Sequence, residues 1–183
     1  VIRSTHTGQI DRLGGLLKCL PWTGHLFLIG SLAICGLPLF NGFVSEWLVY
    51  RALFEGMFHF KINALVFSGM AIISLALIGG LAAACFAKAF GTVFLGNSRS
   101  VTAPVQESPW LMRVPMAVLG GICLWIGLFP GTMVSFSLGA AAMISGVKIT
   151  VLSEQTVLNP IITVILILFI LIGTMAVLTL LKI

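Results

Sequence analysis

Between Leu26 and Phe58 the chain runs for 33 residues with few polar side chains. As one straight helix this stretch would be ~50 Å long, against a bilayer hydrocarbon core of ~30 Å. With 59% hydrophobic and only 8% charged residues, and a mean hydropathy of +1.16, the chain is too apolar for an ordinary water-soluble domain. The stretch therefore belongs in lipid and has to be broken. The break is readable in Gly36-Leu37-Pro38-Leu39-Phe40-Asn41-Gly42. Pro38 removes a backbone donor and clashes with the preceding turn, while Gly36 and Gly42 tolerate unusual dihedrals. Backbone groups freed there cannot face lipid, so the segment is expected among other helices or beside a hydrated cavity.

The rest of the chain reads as an all-α, polytopic transmembrane bundle of about four spans, one of them discontinuous. Its expected parts are a polar connection over 1–21, the broken helix over 22–58, a span over 62–96, a span with an appended segment over 110–147, and a span over 160–182. The appended piece, Thr132 to Val147, suits a continuation of the span, a re-entrant piece or a surface helix equally well. Gly79-Gly80 and Ala82-Ala83-Ala84 offer a small-residue face for close helix packing. Trp110 fits an interfacial anchor, and Pro160 a first helical turn. The opening Val1-Ile2-Arg3 has no initiating Met and no signal-peptide pattern, which suits a piece of a longer protein.

The net charge of +5 comes from basic residues scattered singly between apolar runs. That marks topology and gives no nucleic-acid surface. Four crossings put Arg3, Arg12, Lys18, Arg99, Arg113 and Lys182 on one side, with Arg51, Lys61 and Lys148 on the other. The richer side, with the N-terminal end, is expected to be cytoplasmic. Cys19, Cys35, Cys85 and Cys123 lack metal-ligand or disulfide spacing. No phosphate loop, nucleophile-and-base set or cofactor motif is present, so no catalytic, cofactor or metal site is expected.

Glu46 follows the break closely. A carboxylate at membrane depth costs ~2.5–3.5 kcal/mol on insertion scales, a cost that usually marks function. Desolvation favours its neutral form and a nearby lysine its charged form, so a moving partner would let it take up and release a proton. The alternative is a complete span over Leu26 to Ser45, with Glu46 in the far headgroup region beside Arg51 and Glu55. The break favours the deeper placement, because it spends length without full helical rise. Lys88 and His25 are further proton-path candidates. A lysine near a span end more often snorkels to the interface, and a lone interfacial histidine is more often incidental. Asp11 and Arg12 read as a local surface pair.

Ile10-Asp11-Arg12-Leu13-Gly14-Gly15-Leu16, Leu20-Pro21-Trp22-Thr23, Gly36-Leu37-Pro38 and Asn41-Gly42-Phe43-Val44-Ser45-Glu46-Trp47 resemble the antiporter-like membrane subunits of respiratory complex I, Mrp cation/proton antiporters and membrane-bound hydrogenases. Phe43-Val44-Ser45-Glu46-Trp47-Leu48-Val49-Tyr50 is similar to the hydrogenase-4 component B, or formate hydrogenlyase subunit 3, branch. The specific match covers about Ile10 to Glu55. It implies that the break belongs to the second of that family's two discontinuous helices and that Glu46 takes its key ionisable position, where many relatives carry Lys. This chain departs in having one proline where many relatives have two. The family's first broken helix and its paired Glu and Lys would lie upstream.

The resemblance implies the C-terminal part of a proton-translocating subunit without a redox site of its own. Its implied partners are other membrane subunits, peripheral hydrogenase-type redox subunits and the lipid of a bacterial or archaeal inner membrane, with protons, or sodium alongside them, as cargo. A Mrp-type cation/proton antiporter subunit and a non-conducting membrane anchor for redox subunits stand as alternatives.

Overall fold

The computed structural model describes residues 1–59, 62–97, 106–146 and 151–181, and every regular element among them is helical. A short α1 (Ile2–Thr5) and two 3-10 turns precede α2 (Pro21–Ile34), α3 (Asn41–His59), α4 (Ile62–Phe94), α5 (Trp110–Leu128), α6 (Pro130–Ser145) and α7 (Val151–Leu181). Among the described residues three stretches are long and apolar enough to cross a membrane: Asn63–Phe94, Trp110–Leu128 and Gln155–Leu180. The molecule is an all-α membrane bundle. Large apolar side chains such as Phe67, Ile73, Leu77 and Ile170 point outward, an arrangement that suits lipid or neighbouring helices as the surrounding medium.

The stretch that was too long for one span is two helices. With 14 residues, α2 is only ~21 Å long, and α3 begins after a six-residue gap. The 33-residue α4 lies beside both. Near its start, Ser68 faces Gly56 of α3. Towards its end, Phe86, Phe90 and Phe94 stack around Phe27 of α2. It therefore runs antiparallel to the pair, first along α3 and then along α2. In turn α5 runs parallel to α2, with Gly120 against Ile29 and Gly127 against Leu39 and Phe40.

Two buried clusters hold this arrangement. Leu13, Leu16 and Leu20 of the N-terminal connection pack on Val93 and Phe94, and the Gly15 N–H donates to the Leu95 carbonyl at 3.0 Å. The polar-looking connection is thus fastened to the end of α4 by three leucines. Val44, Val134, Ile161 and Ile165 form the second cluster, which joins α3, α6 and α7.

Two expectations change. Pro160 lies inside α7 rather than in its first turn; it has no N–H to give the Thr156 carbonyl, which accepts from another helix, from the Arg51 guanidinium. Gly79 and Gly80 meet nothing within 4 Å of an added Cβ. Close packing falls instead at Gly24, Gly42 and Gly127, where opposing side chains or backbone come within reach. Lys61, Arg99, Lys148 and Lys182, used above for sidedness, lie outside the described residues.

Candidate functional site

The gap between α2 and α3 is built from two turns in succession. The Leu37 N–H donates to the Leu32 carbonyl and the Gly36 N–H to the Ala33 carbonyl, with Gly36 at φ 65°. This is the Schellman ending that glycine supplies without Cβ strain. Pro38 then prevents the helix from resuming. Next, the Phe40 N–H donates to the Leu37 carbonyl at 3.2 Å. With proline second and Leu39 third at φ 82°, this is the type II turn pattern, except that leucine occupies the place glycine usually takes. Holding an L-residue there costs about 1–2 kcal/mol.

Neighbouring glycines let backbone close over these turns. A Cβ on Gly42 would fall 2.0 Å from the Ala33 carbonyl oxygen, and one on Gly127 would fall 2.1 Å from the Leu39 carbonyl oxygen. The break is therefore covered by α3 from within and by α5 from outside, in keeping with the need to keep freed backbone groups away from lipid.

Glu46, half-buried on the second turn of α3, reaches back into this gap. A Cβ on Gly36 would stand 2.5 Å from its Oε2 and 2.8 Å from its Oε1. Arg51 and Glu55, expected beside it under the alternative reading, pair with each other: Arg51 Nε donates to Glu55 Oε1 at 2.8 Å. A cleft of about 370 Å³ opens between α2 and α4 from Cys35 and Leu37 past Ser31 to Leu95. Ser31 is buried, and its hydroxyl donates to the Phe27 carbonyl.

The other sequence candidates lie apart from Glu46. Lys88 is on the exposed side of α4, and no hydrogen bond or ion pair among the described residues links it to Glu46. His25 is exposed in the first turns of α2, with Nδ1 2.6 Å from the Pro21 carbonyl. Gly36, Pro38, Asn41 and Gly42 all fall in the gap or at the start of α3. Among the described residues no group of three or more His, Cys, Asp or Glu side chains could hold a metal ion.

Sequence reasoning missed Glu107. Its carboxylate accepts from Thr23 Oγ1 at 2.6 Å and from the Trp22 N–H at 3.1 Å, so it caps the N-terminus of α2 from the segment before α5. Burial pushes its carboxyl up, but the hydrogen bonds from Thr23, Trp22 and Ser108 outweigh that and hold it below the usual carboxylate range. The one available signal was an acidic residue two places before Pro109-Trp110, and nothing in sequence ties it to Trp22.

The segment carrying the connection, the break and Glu46 also carries the decisive likeness. Residues 1–74 match the family model described as NADH:quinone oxidoreductase/Mrp antiporter, TM. The chain belongs to this family of membrane subunits. Among its relatives, hydrogenase-4 component B of Escherichia coli (strain K12) is 41% identical over 130 residues, which are 70% of this chain and 19% of that protein. Formate hydrogenlyase subunit 3 of the same strain is 35% identical over 120 residues, 65% of this chain and 20% of that protein. A Na(+)/H(+) antiporter subunit A1 of Staphylococcus saprophyticus is 31% identical over 136 residues, 73% of this chain and 17% of that protein. The chain thus spans about a fifth of the length of these members of the NADH:quinone oxidoreductase/Mrp antiporter family.

Proposed function

We propose that the chain is the C-terminal part of a proton-translocating subunit in a hydrogenase-4/formate hydrogenlyase or complex I-like redox assembly, and that Glu46 exchanges protons along a hydrated path through it. The observation that carries this reading is the contact of the Glu46 carboxylate with Gly36 in the gap between α2 and α3. At a helix break, carboxylate and backbone groups share one polar island inside an apolar bundle, the kind of place where water and protons are tolerated at membrane depth. Translocation needs two states in which the charge or hydration around Glu46 differs. Lys88, exposed on α4, and His25, near the start of α2, are the candidates for passing protons to and from it. Redox chemistry resides in partner subunits, and the N-terminal end faces the cytoplasm of a bacterium or archaeon.

Proton uptake into vesicles by the full-length complex tests the reading, comparing wild type with Glu46→Gln at matched assembly and redox turnover. Loss of uptake is expected. Unchanged uptake would remove Glu46 from the path and favour a non-conducting anchor. The likeness to a Na(+)/H(+) antiporter subunit supports a second reading, exchange of a cation for protons. Under it, uptake would depend on sodium and persist without a hydrogenase-type partner.

A further inference from the structure

Inside a helix, each N–H donates to the carbonyl four residues before it, and Pro160 has no N–H to give the Thr156 carbonyl of α7. Arg51 of α3 supplies one: its Nη1 donates to that carbonyl while its Nε is held by Glu55 Oε1 at 2.8 Å. An arginine fork can serve both acceptors at once because its donors are rigid and coplanar. The same two helices also meet at Val44, which is buried against Ile161 and Ile165. They are antiparallel, with Arg51 opposite Thr156 and Val44 opposite the residues that follow. Glu46 lies on α3 between these two fastenings.

We propose that Arg51 is a positioning residue, which locks α3 to the proline gap of α7 and thereby fixes the height and rotation at which Glu46 enters the helix break. This rests on the proton-path reading for its consequence, but the lock is a separate physical claim. A change in α7 at Pro160 would be felt at Glu46 through Arg51. α4 and α5 also pack on α3, and the Arg51 bond adds to the apolar Val44 contact a polar tie between α3 and α7.

A double-mutant cycle in the full-length complex tests it, using Arg51→Gln and Pro160→Ala with two readouts, melting temperature and proton uptake at matched assembly. Pro160→Ala restores an N–H that can satisfy Thr156 within α7. Arg51→Gln in the native background is expected to lower both the melting temperature and the uptake, since it removes a charge-assisted hydrogen bond that ties α3 to α7. In the Pro160→Ala background the same change is expected to cost much less in both readouts. Equal losses in the two backgrounds would overturn the proposal. If Arg51→Gln does not assemble, Arg51→Lys, which keeps one charged donor, carries the same cycle with the same criterion. Failure of the proton reading shows separately, as unchanged uptake in Glu46→Gln while the coupling in melting temperature persists.

Discussion

The Glu46 carboxylate rests where a side chain of Gly36 would be: a Cβ built there lies 2.7 Å from Glu46 Cδ. Glycine at this position thus does two things, ending α2 at φ 65° and making room for the Glu46 carboxylate. Gly36→Ala should carry about 1–2 kcal/mol of left-handed strain and also push the carboxylate out of the gap. The expected outcome is a complex that still assembles, melts lower and takes up fewer protons. Gly30→Ala is the control, since an added Cβ there meets nothing within 4 Å. Equal uptake by the two variants would mean that the seating of Glu46 against Gly36 does not matter.

A second prediction concerns the cover over the break. The atoms facing Gly127 are backbone, the Leu39 carbonyl and the Phe40 nitrogen, and backbone cannot swing aside as a side chain can. Gly127→Ala should therefore force α5 away from the turn and lower stability by about 1–3 kcal/mol. Gly121→Ala, on the open side of the same helix, should be neutral or slightly stabilising through helix propensity. Thermal melting of the detergent-solubilised complex distinguishes them, and similar midpoints would show that α5 does not seal the break.

The break and Glu46 were legible in sequence because their causes are local. Gly36 and Pro38 end a helix through their own backbone properties, and Glu46 is conspicuous as a charge in an apolar run. What closes the site was not legible. Gly127 looks like any glycine in an apolar helix until the Leu39 carbonyl is set against it. Pro160 looks like a helix start because the donor that compensates for it inside α7 comes from Arg51, a residue distant in sequence. Gly79 and Gly80 show the converse, since small residues permit close approach without supplying a neighbour.

The cap supplied by Glu107 yields a pH dependence with a definite sign. Its carboxyl is held below a free carboxylate's 4.5 by hydrogen bonds from Thr23, Trp22 and Ser108, which outweigh the opposing effect of burial. A group with a depressed native value stabilises the fold fully above its unfolded value and loses that contribution as the pH falls through the native one. Glu107→Gln keeps an acceptor for Thr23 but removes the charge at the N-terminus of α2, a loss of about 0.3–1 kcal/mol at neutral pH. Wild type should therefore melt higher than Glu107→Gln at pH 7. Below pH 4.5 the gap should shrink, because the protonated acid and the amide then present similar groups to the helix end. Melting midpoints of both proteins across this range check it, and a constant difference would mean that the charge on Glu107 does not stabilise the start of α2.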